Sequence, residues 1–305
     1  MDRSNITLDR MRTFVRVAER GSLSAVAREL RIGQATVTRH LRELEEAVGV
    51  PLLSRTTRRL AMTEEGSRYY ENSIQILRLV ERAADEARGE RGASAGSIRV
   101  SCSAAIGVLH VSRLIFAFQD LYPEIGVDLN LTDERVDLVR EGVDLALRLG
   151  PLADSSLKLR VLGQSQRILV AAPGYLAERG TPLSPGDLSP HEGIRMSNVA
   201  GSDILTLRGP DGQSHMAPFG GRLRLDHGLA AREALVAGRG IAPAHRWLVD
   251  DLLESGKLAP ILTDYALPSV PLSMLIVPER ASVARVRLLI DFLTDRSGSI
   301  PGLVK

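Results

Sequence analysis

One cysteine, Cys102, stands in 305 residues, so a disulfide within the chain is excluded. Lysine is nearly absent. Lys158, Lys257 and Lys305 are the only three, so the preference for arginine runs through the whole chain and an arginine-rich segment is not by itself a signature. No apolar run of membrane-spanning length stands out, and the opening MDRSNITLDRMR lacks the apolar stretch of a signal peptide. The expectation is a cytoplasmic protein without a membrane partner. Chemistry-bearing clusters are also missing: His215, His227 and His245 have no metal-ligand spacing, and Cys102 has no histidine signature of a nucleophile. His110 lies one or two helical turns from Cys102, and a buried or capping thiol explains that cysteine better. GRG at 238–240 is too short for a nucleotide loop and reads as the end of a helix entering a strand. No enzyme, cofactor or metal is expected.

What is present is length for more than one domain and a lopsided charge. The whole chain carries a net charge of +2, yet residues 1–63 hold 12 arginines against 7 acidic residues, net +5, which leaves −3 for the remainder. A basic end on a near-neutral chain points to nucleic acid. Within that end, residues 22–49 read as two short amphipathic helices joined by a turn at Ile32-Gly33. Ala25, Val26, Ala27 and Leu30 supply the inner face of the first helix, with Ser24 as its N-cap and Gly33 as the residue that lets the chain turn. Val37, Leu41, Leu44 and Val48 form a stripe at steps of four, three and four on the second. Its other face carries Gln34, Ala35, Thr36, Thr38, Arg39 and Arg42, residue types suited to phosphates and base edges in a major groove. An ordinary pair of solvated helices would show a similar pattern. Two neighbours favour the DNA reading: a preceding helix over 8–20 with Leu8, Met11, Val15 and Ala18 inward, and a following hairpin, VPLLSRTTRRLAMT, in which Arg55, Arg58 and Arg59 lie as a wing along a DNA backbone would.

With those residues in view, the segment 8–66 resembles the winged helix-turn-helix of LysR-type transcriptional regulators. Ala25, Ala27, Leu30, Val37, Leu44, Glu45, Gly49, Pro51, Leu52, Arg55, Thr63 and Gly66 carry the resemblance. Leu23 and Leu53 depart from it where phenylalanine is usual. Gly33-Gln34-Ala35 replaces a frequent Ser-Gln-Pro or Ser-Gln-Ser, which removes a capping hydroxyl from the start of the recognition helix.

From Thr63 a capped, proline-free segment predicts one long helix. Tyr70, Ser73, Leu77, Val80, Ala84 and Ala87 give it a seam, either for a second helix or for packing on its own domain. The resemblance favours dimerisation through this helix, with dimers assembling to a tetramer. The stretch GERGASAGS then reads as a hinge. Beyond it, strands alternate with helices, including one expected over about 133–141, which predicts a parallel α/β sheet. The expected organisation is α/β multidomain: an N-terminal all-α winged helix-turn-helix over 1–63, a linker helix over 64–90, a hinge over 91–97 and an effector domain over 98–305. The resemblance implies that the last divides into subdomain I (98–166 and 270–305) and subdomain II (167–269), in the manner of type 2 periplasmic binding proteins.

In that architecture a ligand lies in the cleft between subdomains. Ser101, Cys102 and Ser103 after the first strand are candidates to meet a carboxylate, with helix capping as the alternative. Arg148 suits an anionic effector or an ion pair with Asp144. Ser197, Asn198, Asp226 and Ile241 complete the candidates, Asp226 being the better N-cap than ligand. The expected partners are double-stranded promoter DNA, a small-molecule effector of organic-acid type, a second copy of the chain and RNA polymerase. A solute-binding protein would explain residues 97–305 and leave the first 96 without a role.

Overall fold

The computed structural model describes residues 6–56, 59–88, 95–134, 137–151, 157–197, 199 and 201–305, without the side chains of 55–56, 59–60, 78, 81–82, 85–88 and 279. It divides into two compact units, residues 1–93 with 136–143, and 94–135 with 144–305.

The first unit begins with α1 (Leu8–Arg20), whose N-cap Thr7 accepts from the Arg10 amide and which ends on left-handed Gly21. Then come α2 (Leu23–Glu29), α3 (Gln34–Val48), the strands β1 (Leu53–Thr56) and β2 (Arg59–Met62), and α4 (Glu64–Arg88). Ser22, one position before Leu23, caps α2 by accepting from the Ala25 amide at 3.3 Å. Ser24 therefore does not hold the role its sequence position suggested; its hydroxyl meets that of Ser22. The turn also differs from expectation. Arg31 takes the left-handed conformation at φ +54°, at a cost of about 1 kcal/mol for a side chain with a Cβ, whereas Gly33 is extended at φ −68° and starts α3 with no side-chain cap.

Val26, Ala27, Val37, Leu41 and Leu44 pack against Phe14, Val15 and Val17 of α1, with Leu52 and Ile74 closing the core. Met11 and Val15 are buried as expected and are joined by Phe14 and Val17, while Leu8 is 39% exposed. Glu45 joins this core to the wing: its Oε1 accepts from the amides of Leu52 at 2.8 Å and Leu53 at 3.0 Å, the first amides past the turn. β1 and β2 pair antiparallel, Leu53 opposite Met62. Thr63 then caps α4 by accepting from Gly66 N–H at 2.8 Å. Gly66 is required, because a Cβ there would stand 1.9 Å from the carbonyl oxygen of Leu52. On α4, Ser73 is fully buried, and Tyr70 and Leu77 pack on the domain core. The first half of the predicted seam thus serves its own domain, and among the described residues of α4 the large apolar side chains left exposed are Ile76, Leu79 and Val80.

The second unit runs through β3 (Gly96–Cys102), α5 (Ala104–Ile106), a π turn (Gly107–Val111), α6 (Ser112–Leu121), β4 (Ile125–Leu131), β5 (Leu145–Leu149) and β6 (Lys158–Ser165). It continues through β7 (Arg167–Ala171), α7 (Pro173–Arg179), β8 (Arg195–Met196), β9 (Ile204–Arg208), β10 (Ser214–Pro218), β11 (Arg224–Leu225), α8 (Gly228–Val236), β12 (Ile241–His245), α9 (Arg246–Glu254) and β13 (Ala259–Ile261). β14 (Val270–Ile276), α10 (Ala284–Arg296) and β15 (Leu303–Val304) complete it. Six strands form one sheet in the order β15-β6-β14-β5-β3-β4, and β12-β7-β13 form another. The large sheet is mixed and not parallel as expected: β3 runs parallel to β4 and β5, but the returning strand β14 inserts antiparallel between β5 and β6. The helix expected over 133–141 is absent from the described residues 137–142, which form turns. Only a single turn forms: Asp137 Oδ1 accepts from the Val139 and Arg140 amides at 3.1 Å in the manner of an N-cap, and the Glu141 amide donates to the Asp137 carbonyl at 2.9 Å.

Residues 104–121 are the one stretch among those described that is long and apolar enough to cross a membrane. Here Ile106, Val111, Ile115 and Phe118 bury against the large sheet's core.

Candidate functional site

The helix α3 divides by period. Val37, Leu41, Leu44 and Ala47 are buried, and Gln34, Ala35, Arg39 and Arg42 are exposed, with Thr36 and Thr38 half-buried beside them. Because Gly33 contributes no side-chain cap, the first amides of α3 are left for other acceptors, while Thr38 Oγ1 donates to the Gln34 carbonyl at 3.1 Å. Arg42 lies 3.6 Å from Glu46, both about two-thirds exposed, a pair too solvated to hold the guanidinium firmly. His40 belongs to the scaffold: its Nδ1 stands 2.9 Å from Thr13 Oγ1 on α1 and sets the angle of α3. Arg55 and Arg59 lie on the two wing strands, and Arg58 lies outside the described residues.

In the second unit the C-terminal ends of β3 and β5 bring Ser101, Cys102, Ser103 and Arg148 together, since these strands are parallel neighbours. Arg148 Nη2 donates to Ser101 Oγ at 2.7 Å and Nη1 to the Leu147 carbonyl at 3.1 Å. The pair with Asp144 does not form. Asp144 is buried against the guanidinium of Arg280 and also accepts from the Arg99 amide at 2.8 Å, so its charge is already matched. Ser101 and Cys102 are closed to solvent, and burial pushes the Cys102 thiol up to about 12, with Asp133 adding to and Arg148 opposing that shift. Such a thiol remains protonated and is not a nucleophile. Ser103 is half-buried at the start of α5 and makes no side-chain cap.

On the other side, β8 and β11 are parallel neighbours and place Ser197 next to the exposed Asp226, with the Ser197 amide donating to Leu225 at 2.7 Å. Asp226 is not the N-cap; His227 is, its Nδ1 accepting from Leu229 N–H at 3.3 Å. Asn198 lies outside the described residues. Ile241 is fully buried on β12 opposite Ala171, so its side chain belongs to the core. The starts of α8 and α5 approach closely, for a Cβ on Gly228 would lie 3.0 Å from that of Ala105.

Two groups near this cleft escaped the sequence reading. Asp133 Oδ1 accepts from the Ala104 amide at 3.1 Å, capping α5 from another strand end; its place after the apolar run of β4 was the only signal. Ser165, His245 and Trp247 form a buried knot where β6 passes into β7: Ser165 Oγ is 2.8 Å from His245 Nδ1 and accepts from Trp247 Nε1 at 2.9 Å. Burial, reinforced by Arg167, lowers His245 to about 3, so the imidazole is neutral.

A helix-turn-helix with a polar exposed face, joined to an α/β body built on a six-stranded and a three-stranded sheet, is the arrangement of a DNA-binding transcription regulator modulated by a small-molecule effector. Residues 8–67 match the family described as "Bacterial regulatory helix-turn-helix protein, lysR family", and residues 91–298 match "LysR substrate binding domain". The chain is 34% identical to the HTH-type transcriptional regulator DmlR of Escherichia coli over 94% of its length and 93% of that protein. It is 32% identical to CrgA of Neisseria meningitidis, over 95% and 97% respectively. The full-length structure of the Vibrio cholerae virulence activator AphB superposes with a TM-score of 0.65 at 29% identity, covering 95% of this chain and 99% of that one. The chain belongs to the LysR family.

Proposed function

We propose that Gln34, Ala35, Thr36 and Arg39 read base edges in the major groove, while Thr38, Arg42, Arg55, Arg58 and Arg59 hold flanking phosphates. The observation that carries this reading is the division of α3 into a buried stripe and a polar exposed face at one helical period. The protein acts in the cytoplasm as a regulator and not as an enzyme, with domain limits at about 1–63, 64–90, 91–97 and 98–305. It works as a homodimer joined through α4, and two such dimers assemble to a tetramer. The exposed Ile76, Leu79 and Val80 support the pairing, because three apolar side chains at helical spacing gain by leaving water. Two linked winged helices then engage two half-sites at raised effective concentration.

The effector is a small organic acid bound near Ser103, Arg148 and Ser197. Its binding favours one arrangement of the two subdomains, which changes the spacing of the winged helices, the bend of the promoter DNA and the access of RNA polymerase. In vitro selection with the purified protein, followed by footprinting with and without carboxylates that raise its melting temperature, tests the reading. A selected dyad whose footprint changes length with effector is the expected result. No enriched sequence, or footprints of equal length and bend, overturns it.

A further inference from the structure

The arginines of the DNA-binding unit fall into two groups. On α1, Arg10 pairs with Glu43 at 2.6 Å and Arg12 with Asp9 at 3.3 Å, while Arg16 and Arg20 share Glu29. Burial alone would push Glu29 up, yet these two guanidinium groups hold it below the ordinary carboxylate range. Each of these four guanidinium groups already faces a carboxylate of the protein. Arg28, Arg31 and Arg39 differ: all three are exposed and, among the described residues, none makes an ion pair. Arg39 faces outward from α3 and has a role there. Arg28 and Arg31 have none so far.

Their positions are informative. Arg28 lies one turn after Ser24 on the same face of α2, held only by a long 3.5 Å contact to the Ser24 carbonyl. Arg31 sits at φ +54°, a conformation that glycine adopts without steric penalty, yet a long cation occupies it. Both emerge within five residues of Gly33, where α3 begins. That is the edge of any groove that the first turn of α3 enters. An arginine without an internal carboxylate gains a phosphate at no loss of an existing pair and releases a condensed counterion from the DNA.

We propose that Arg28 and Arg31 bind backbone phosphates beside the groove entered by α3, making the turn of the helix-turn-helix a phosphate clamp separate from the wing. The proposal rests on α3 entering DNA. Binding of the full-length protein to a random-sequence 40-base-pair duplex and to duplexes enriched by selection, measured by anisotropy across a salt series, tests it. Arg28→Gln and Arg31→Gln should each lower the slope of log affinity against log salt by about 0.9 per engaged copy, equally on both duplexes. The ratio of the two affinities should not change, and Arg31→Lys should restore the slope, since a phosphate accepts a point charge. Arg31→Gly should lose the slope as Arg31→Gln does, although glycine suits this backbone, so the loss cannot be put down to misfolding. Arg12→Gln should leave the slope as it is. A wild-type slope in the Arg28 and Arg31 variants, or an altered affinity ratio, overturns the proposal. Salt-independent binding by the wild-type protein would instead overturn the DNA reading beneath it.

Discussion

Removing one partner of the buried Asp144–Arg280 pair should be the most damaging single polar change in the effector unit. The side chains are 3% and 7% exposed, and the carboxylate also accepts from the Arg99 amide at 2.8 Å. Asp144→Ala leaves a guanidinium in the interior without a counter-charge and strands that amide, which should cost about 3–5 kcal/mol. For a unit of about 200 residues, each kcal/mol moves Tm by about 2–4 °C, so a fall of roughly 6–20 °C is expected. The single tryptophan, Trp247, is buried in the same unit and reports its unfolding directly. Urea titrations followed by its fluorescence should show the midpoint shift. The double variant Asp144→Leu with Arg280→Met should recover most of the loss, because it removes both desolvated charges together. Asp144→Ala within about 1 kcal/mol of wild type would refute the reasoning, as would a double variant no better than the single one.

The neutral His245 makes stability pH-dependent. Its folded value of about 3 lies below the ordinary 6.5, so above pH 6.5 both states are unprotonated. As pH falls from 6.5 towards 3 the unfolded chain takes up a proton that the folded one refuses, and stability should drop by up to about 1.4 kcal/mol per pH unit. His245→Gln should flatten that dependence in Trp247-monitored titrations, and an unchanged pH profile would count against it. Gly66→Ala drives a methyl into the Leu52 carbonyl and should destabilise the first unit by about 1–3 kcal/mol, visible as an earlier loss of helical circular dichroism; tolerance of the alanine would show that α4 can shift away from the wing. Arg39→Ala should cost about 1–3 kcal/mol in discrimination between selected and random duplexes, and full discrimination in that variant would remove Arg39 from the base-reading set.

Local periodicity was legible wherever one helix buried one face: α1 and the inward stripe of α3 follow directly from apolar spacing, and the wing follows from arginines between two apolar runs. Several elements left a weaker mark. The strand β6 starts with Lys158, Leu159, Arg160 and Val161, all exposed, so its pattern does not announce a buried strand, and it is defined by its pairing with β14 across more than a hundred residues. The short strand β13 was hidden in the same way, by a partner distant in the chain.

The sequence by itself determined the class of protein, because apolar period, charge asymmetry and the family resemblance carried by residues such as Ala27, Leu44, Glu45 and Pro51 can be read without knowledge of partners. Only the tertiary structure decided which polar group meets which. It gave Asp144 to Arg280 and Arg148 to Ser101, moved the caps to Ser22 and His227, and placed the left-handed turn on Arg31 with Gly33 extended. The reason is physical: a buried charge takes whichever partner the packed sheets bring within hydrogen-bond distance, and turn conformation answers to the angle at which two helices must pack. Neither is written in the spacing of residues along the chain.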